Sequence, residues 1–155
     1  MQTVIFDLDG TLADTSGDLL AAANFCFAQM GHPELLTWPE DAATALRGGR
    51  AMLTLGLTRL GKFDQAVIDE LYPVLLQAYG ASINRFTTSY PGALQAAQDL
   101  KSAGFKIGIC TNKPFALAED LMVRMGQRAL FDSLIGADSL SVRKPDPEPF
   151  FEAVR

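Results

Sequence analysis

The sequence predicts an α/β fold: an open, parallel, Rossmann-like sheet with a helical segment inserted near its start. Three observations carry that expectation. An apolar, β-branched run, Thr3-Val4-Ile5-Phe6, is followed at once by the acidic turn Asp7-Leu8-Asp9-Gly10-Thr11. From Thr15 to about Arg85 every apolar pattern has the period of a helix. Beyond Ser89, helical stripes alternate with short apolar runs, the pattern of strand–helix–strand units whose strands lie parallel.

Taken in order, Thr3 to Phe6 is apolar on both faces, as a central parallel strand requires. Thr15 and Asp18 have capping-box spacing, and Leu19, Leu20, Ala23, Phe27 and Met30 then follow a helical period until Gly31. Thr37, Pro39 and Glu40 repeat the start signal. Arg47-Gly48-Gly49-Arg50 breaks that helix, Leu53, Leu57 and Leu60 mark the next, and Asp64 caps a further one carrying Ile68, Leu71, Leu75 and Ala78. Pro73 is expected to kink or split it. Pro91-Gly92 turns the chain into a helix that ends at Gly104. Phe105 to Cys110 reads as a strand, Thr111-Asn112-Lys113-Pro114 as a turn, and Phe115, Ala118, Met122 and Met125 as a helix stopped by Gly126. A short strand lies within Asp132 to Ala137, and a polar loop then leads to Lys144. The domains expected are an α/β core of 1–14 and 86–155, and a helical cap of 15–85.

Composition narrows the partners. The chain has 155 residues, 48% hydrophobic and 20% charged, enough for one core or a core and a satellite. A net charge of −5 without a Lys/Arg cluster speaks against nucleic acid and anionic membranes as partners. No apolar run approaches the ~18 residues of a membrane span, and Met1-Gln2-Thr3 lacks the basic start of a signal peptide, so a cytoplasmic protein is expected. Cys26 and Cys110 sit in apolar segments without metal spacing and read as buried thiols.

The chemistry gathers where the strands end, because ligands of open α/β sheets sit beyond the carboxyl ends of their strands. The first strand delivers Asp7 and Asp9, the later one Thr111, Asn112 and Lys113 before a helix start, and the following loop Lys144. A helix start attracts anions, yet the carboxylates are anions themselves. A divalent cation reconciles the two, and hard Mg²⁺ suits oxygen ligands and phosphate. The plainer readings are an Asp-Gly turn, a helix cap at Thr111-Asn112 and a solvated Lys144. Asp14 reads as a helix-start or hinge residue, and His32 as a surface loop residue.

These motifs resemble the haloacid dehalogenase-like hydrolases, in the group with a helical cap inserted after the first motif. Asp7-Leu8-Asp9-Gly10-Thr11, Thr111 in "ICTNK" and Lys144 in "RKPDP" match three motifs in order, and "TLADT", "TNKP" and "SLSVRKPDPEPF" resemble the phosphoglycolate phosphatases most. The resemblance implies Asp7 as nucleophile forming an aspartyl-phosphate, Asp9 as general acid and base, and Thr111, Asn112 and Lys144 as phosphate ligands. It implies Mg²⁺ held by the Asp7 carboxylate and the Asp9 carbonyl, and a small phosphorylated metabolite as substrate. The turn of Arg47, Gly48 and Gly49 is the candidate for substrate specificity in the cap. The alternatives kept are a β-phosphoglucomutase-like phosphomutase and a non-catalytic phosphate-binding fragment; the acid at Asp9 speaks against a dehalogenase, and the Asp-x-Asp spacing with the long insertion against a receiver domain. The family's fourth, acidic motif is absent, and Phe150, Phe151 and Val154 have only begun a helical stripe. The expectation is therefore a portion of a longer enzyme.

Overall fold

Thr3–Phe6 forms strand β1 in the computed structural model, which describes residues 2–155. The chain divides into two units: the N-terminal segment through Asp14 with Thr88–Arg155, and Thr15–Thr87. The first unit holds β1, β2 (Ala13–Asp14), β3 (Thr88–Ser89), α5 (Ala93–Ser102), β4 (Lys106–Cys110), α6 (Phe115–Arg124), a 3₁₀ turn (Arg128–Leu130), β5 (Ser133–Ile135) and α7 (Glu148–Val154). The second holds α1 (Ser16–Ala28), α2 (Ala42–Ala45), α3 (Gly49–Arg59) and α4 (Gln65–Ala81).

In the first unit, β1, β4 and β5 make a parallel sheet in that order, as the alternating pattern predicted. Thr3 lies opposite Lys106 and Phe6 opposite Ile109, while Gly108 lies opposite Ser133 and Cys110 opposite Ile135. The middle strand is β4, not β1. Ile107, Ile109 and Cys110 are buried, whereas all four residues of β1 are half-buried at an edge of the sheet among the described residues. Phe6 packs edge-on against Phe131, with ring centres 6.2 Å apart. A separate antiparallel pair, β2 with β3, joins the points where the chain leaves and re-enters this unit. Helix α7 forms, but Pro149 and Ala153 face inward and Phe150, Phe151 and Val154 remain exposed. The tie is local: Ser133 Oγ donates to the Ala153 carbonyl at 2.6 Å, and Gly108 provides the space beneath it.

In the second unit, α1 packs on α2, α3 and α4. Phe27, Met52, Leu53, Leu57, Ile68 and Leu75 are fully buried. Gly56 is required here, because a Cβ would land inside the Phe27 ring. Two start signals operate differently from the expectation. Thr15 precedes α1 without a side-chain cap, and Asp18 turns instead to the returning chain. Its carboxylate accepts from the Phe86 and Thr87 N–H groups and from Thr87 Oγ1. The segment from Thr37 forms turns, and helix begins only at Ala42. There Asp41 accepts from the Thr37 N–H and takes both arms of the Arg59 guanidinium, at 2.7 and 2.8 Å. Asp64 caps α4 through the Ala66 N–H, and α4 runs on past Pro73, which sits on its exposed face.

Candidate active site

The turn after β1 is built around one carbonyl. Leu8 is fully buried, and its oxygen accepts from the N–H groups of Thr11, Leu12 and Ala13. Gly10, at φ 80°, takes a left-handed conformation that a side chain would disfavour, and its N–H donates to the Ala13 carbonyl. This tight reversal holds Asp7 and Asp9 at the carboxyl end of the strand.

Strand β4 delivers the second group. The Thr111 N–H continues the sheet by donating to the Ile135 carbonyl at 2.9 Å, and its Oγ1 accepts from the Lys113 N–H at 3.1 Å. Thr111 is 3% exposed. The loop after β5 closes directly on this turn: the Ala137 N–H donates to the Lys113 carbonyl, and a Cβ on Gly136 would sit 2.5 Å from Phe115 N. The Phe115 N–H, at the start of α6, donates to Asp138 Oδ1 at 2.7 Å. Part of that helix terminus is thus already matched by a carboxylate.

Lys144 completes the group from the far loop. Its Nζ lies 2.8 Å from the Cys110 carbonyl and 3.1 Å from Asp7 Oδ1, and its own carbonyl accepts from Asn112 Nδ2 at 3.0 Å. Asp7 Oδ1 also accepts from the Leu8 N–H at 2.8 Å. Asp7 Oδ2 has no protein partner among the described residues, and this side chain is 46% exposed. One oxygen of Asp7 is therefore anchored while the other faces outward. Asp9 is held differently. Its Oδ1 lies 2.7 Å from Lys113 Nζ, with the lysine side chain 4% exposed and the carboxylate 15%. The structure thus brings together Asp7, Asp9, Thr111, Asn112 and Lys144, at the ends of β1 and β4.

Lys113 is placed at this turn by the sequence but given no role there. Its signal was present: a lysine before proline, in the turn that already supplied Thr111. Asp138 was missed as well, and its only signal was an acid in the loop after a short strand. Arg47, Gly48 and Gly49 lie in the helical unit. Gly48, at φ 105°, starts α3, Gly49 packs where a Cβ would come 3.0 Å from Leu75, and Arg47 is exposed. Desolvation pushes the Cys110 thiol up, with the nearby Lys144 charge acting in the opposite sense. Cys110 therefore stays a neutral, buried thiol.

The donor set suits a hard cation. Mg²⁺ takes oxygen ligands, keeps several waters and needs only one or two carboxylates beside a substrate phosphate. The Asp7 carboxylate and the main-chain carbonyl of Asp9 are such donors. Among the described residues no group of three His, Cys, Asp or Glu side chains gathers into an all-protein cage.

The profile of the haloacid dehalogenase-like hydrolases matches residues 1–155. This chain belongs to that family. It is 37% identical, over 150 residues, to a phosphoglycolate phosphatase of Cereibacter sphaeroides, covering 96% of this chain and 68% of that protein. It is 36% identical over 152 residues to a phosphoglycolate phosphatase of Xanthomonas campestris pv. campestris, covering 98% and 67%. The crystal structure of a predicted phosphoglycolate phosphatase from Haemophilus somnus superposes with a TM-score of 0.79, at 22% identity, over 97% of this chain and 68% of that one. That last likeness is one of fold. The chain spans about two thirds of the length of these relatives. No described helix is long and apolar enough to cross a membrane.

Proposed function

We propose that this family member hydrolyses a small phosphomonoester through an aspartyl-phosphate on Asp7, and that its substrate is 2-phosphoglycolate. The observation that carries the reading is the asymmetric anchoring of the two acids. Asp7 presents one unpartnered, outward oxygen beside the half-open ammonium of Lys144, whereas Asp9 is drawn back onto a buried lysine.

In the first step an Asp7 oxygen attacks phosphorus, the bond to the substrate's bridging oxygen breaks, and Asp9, which enters this step protonated, gives that proton to the departing alkoxide. In the second step Asp9 takes a proton from water, that water attacks the same phosphorus, and Asp7 leaves as a carboxylate with inorganic phosphate. Thr111 Oγ1 and the Asn112 N–H would donate to phosphoryl oxygens, and Lys144 would offset charge on both nucleophile and phosphate. Mg²⁺, held by the Asp7 carboxylate and the Asp9 carbonyl, would supply neutralisation of the phosphoryl charge. On this reading residues 15–85 act as the cap, and Arg47 beside Gly48 and Gly49 is the cation suited to the substrate's carboxylate.

The names of the curated relatives support the substrate. The test is release of inorganic phosphate from 2-phosphoglycolate against a panel of sugar phosphates, with Mg²⁺ present. Asp7→Asn should abolish release while leaving the unfolding transition in place. Turnover retained in that variant ends the nucleophile assignment. Transfer of the phosphoryl group to a sugar, in place of water, would make the protein a phosphomutase.

A further inference from the structure

Two acids stand in the site, and each has its own lysine. The two lysines differ in one respect that decides their roles. Lys144 is 30% exposed and touches the outward-facing Asp7, so a phosphate can reach its ammonium. The Lys113 side chain is 4% exposed, with its ammonium 2.7 Å from Asp9. At that exposure the Lys113 ammonium is closed to an incoming phosphoryl group.

A lysine stem has four rotatable carbons and normally holds its charge loosely. Here the backbone that carries the stem is fixed on both sides. The Lys113 N–H donates to Thr111 Oγ1, and its carbonyl accepts from the Ala137 N–H, with Gly136 in close contact. The ends of β4 and β5 therefore set where the ammonium lies, and the ammonium sets where the Asp9 carboxylate points.

Resting on the phosphatase reading above, we propose that Lys113 is a positioning residue for Asp9. It holds the Asp9 carboxylate in the one orientation that serves both the leaving oxygen and the attacking water. It contributes nothing directly to substrate binding. A misplacement of about 1 Å in a reacting group costs on the order of 10²-fold in rate. Removing the anchor should therefore lower kcat about 10- to 100-fold, and KM should stay within about 3-fold because Lys144, Thr111 and Asn112 are untouched.

The test uses Lys113→Met, which keeps the stem's bulk without its charge, and Lys113→Ala, which leaves a slot the shape of propylammonium. Loss of kcat with KM held, restored in Lys113→Ala by propylammonium and not by propanol, supports the proposal. Unchanged kcat, or a rise in KM alone, overturns it. A second readout is independent of turnover. Side-chain couplings of Asp9 in the ¹³C-labelled chain should report one rotamer in the wild type and averaged rotamers in Lys113→Met, with Asp7 unchanged. An Asp9 that stays in one rotamer overturns the proposal by itself. If the wild type turns over no phosphomonoester, the phosphatase reading fails, and the Asp9 couplings still decide whether Lys113 anchors it. Should Lys113→Ala not fold, Lys113→Met and Lys113→Gln carry both measurements.

Discussion

Asp18→Ala separates a helix-cap role from a tethering role at the start of α1. The Asp18 carboxylate is 3% exposed and accepts from the Phe86 N–H at 3.0 Å through both oxygens, from the Thr87 N–H at 3.0 Å and from Thr87 Oγ1 at 2.7 Å. Hydrogen bonds to a charged group are each worth about 1.5–3 kcal/mol, and the alanine variant leaves two main-chain donors without an acceptor. The site is only partly buried, so water recovers part of that loss and the net cost falls to about 3 kcal/mol. For a chain of 155 residues this lowers the melting temperature by about 6–12 °C. Asp18→Asn should cost less. Its amide oxygen can occupy the Oδ2 position and keep both Thr87 bonds and one half of the shared Phe86 contact, losing only the half made to Oδ1. Removing an ordinary exposed cap, as in Asp64→Ala, should cost only about 1 kcal/mol. Thermal unfolding followed by circular dichroism ranks the four proteins. An Asp18→Ala protein within about 2 °C of wild type (about 0.5–1 kcal/mol), or no more affected than Asp64→Ala, would refute the tether.

Gly56→Ala should destabilise despite the better helix propensity of alanine. That gain is about 1 kcal/mol, whereas driving a methyl into the Phe27 ring costs about 1–3 kcal/mol or more, and a raised urea midpoint would contradict it. Stability should also fall in acid. The Arg59 guanidinium holds the Asp41 carboxyl below the usual carboxylate range, and the Ile107 N–H, with Lys101, does the same for Asp132. A folded-state value below the unfolded one gives stability that is fully present above about pH 4 and drains as pH falls through the depressed values. Melting temperatures should therefore drop below that pH, more shallowly in Asp41→Asn, and an identical slope in that variant would remove Asp41 as a cause. Chelation by EDTA should stop phosphate release and leave the melting temperature unchanged, because protein ammonium groups already face both acids; a large fall in melting temperature would contradict that.

Much of this fold was legible because its signals were local. The Asp64 cap, the glycine stops at Gly31, Gly104 and Gly126, and the alternation that yields a parallel sheet each depend on a few neighbouring residues. Two of the misreadings share a physical cause: a side chain that could act locally is recruited over distance. Asp18 has the spacing of a capping box, but two N–H groups 68 and 69 residues away offer it more than the helix start does. Thr37 reads as a cap, yet Asp41 controls that segment because Arg59 fixes its carboxylate. The apolar run of β1 implies a central strand, and periodicity carries no information on sheet order. The stripe at Phe150, Phe151 and Val154 does form a helix, but its periodicity does not say which face turns inward, and it is Pro149 and Ala153 that are buried.

The candidate site was legible as a set of residues but not as a pattern of pairs. Two acids so close in sequence raise an electrostatic difficulty, and from residue types alone a divalent cation is the natural remedy. The folded chain adds a second one, since Lys144 lies on Asp7 and Lys113 on Asp9. Pairing offsets the charge of each acid within the chain itself. It also makes chemically identical side chains unequal. The acid beside the half-open lysine keeps an oxygen facing outward, and the acid beside the buried lysine is restrained from leaving its place. On the proposed mechanism the nucleophile Asp7 must approach its target, whereas the proton carrier Asp9 must stay in line through two steps. The 30% and 4% exposures of their lysine partners are what that proposal would require.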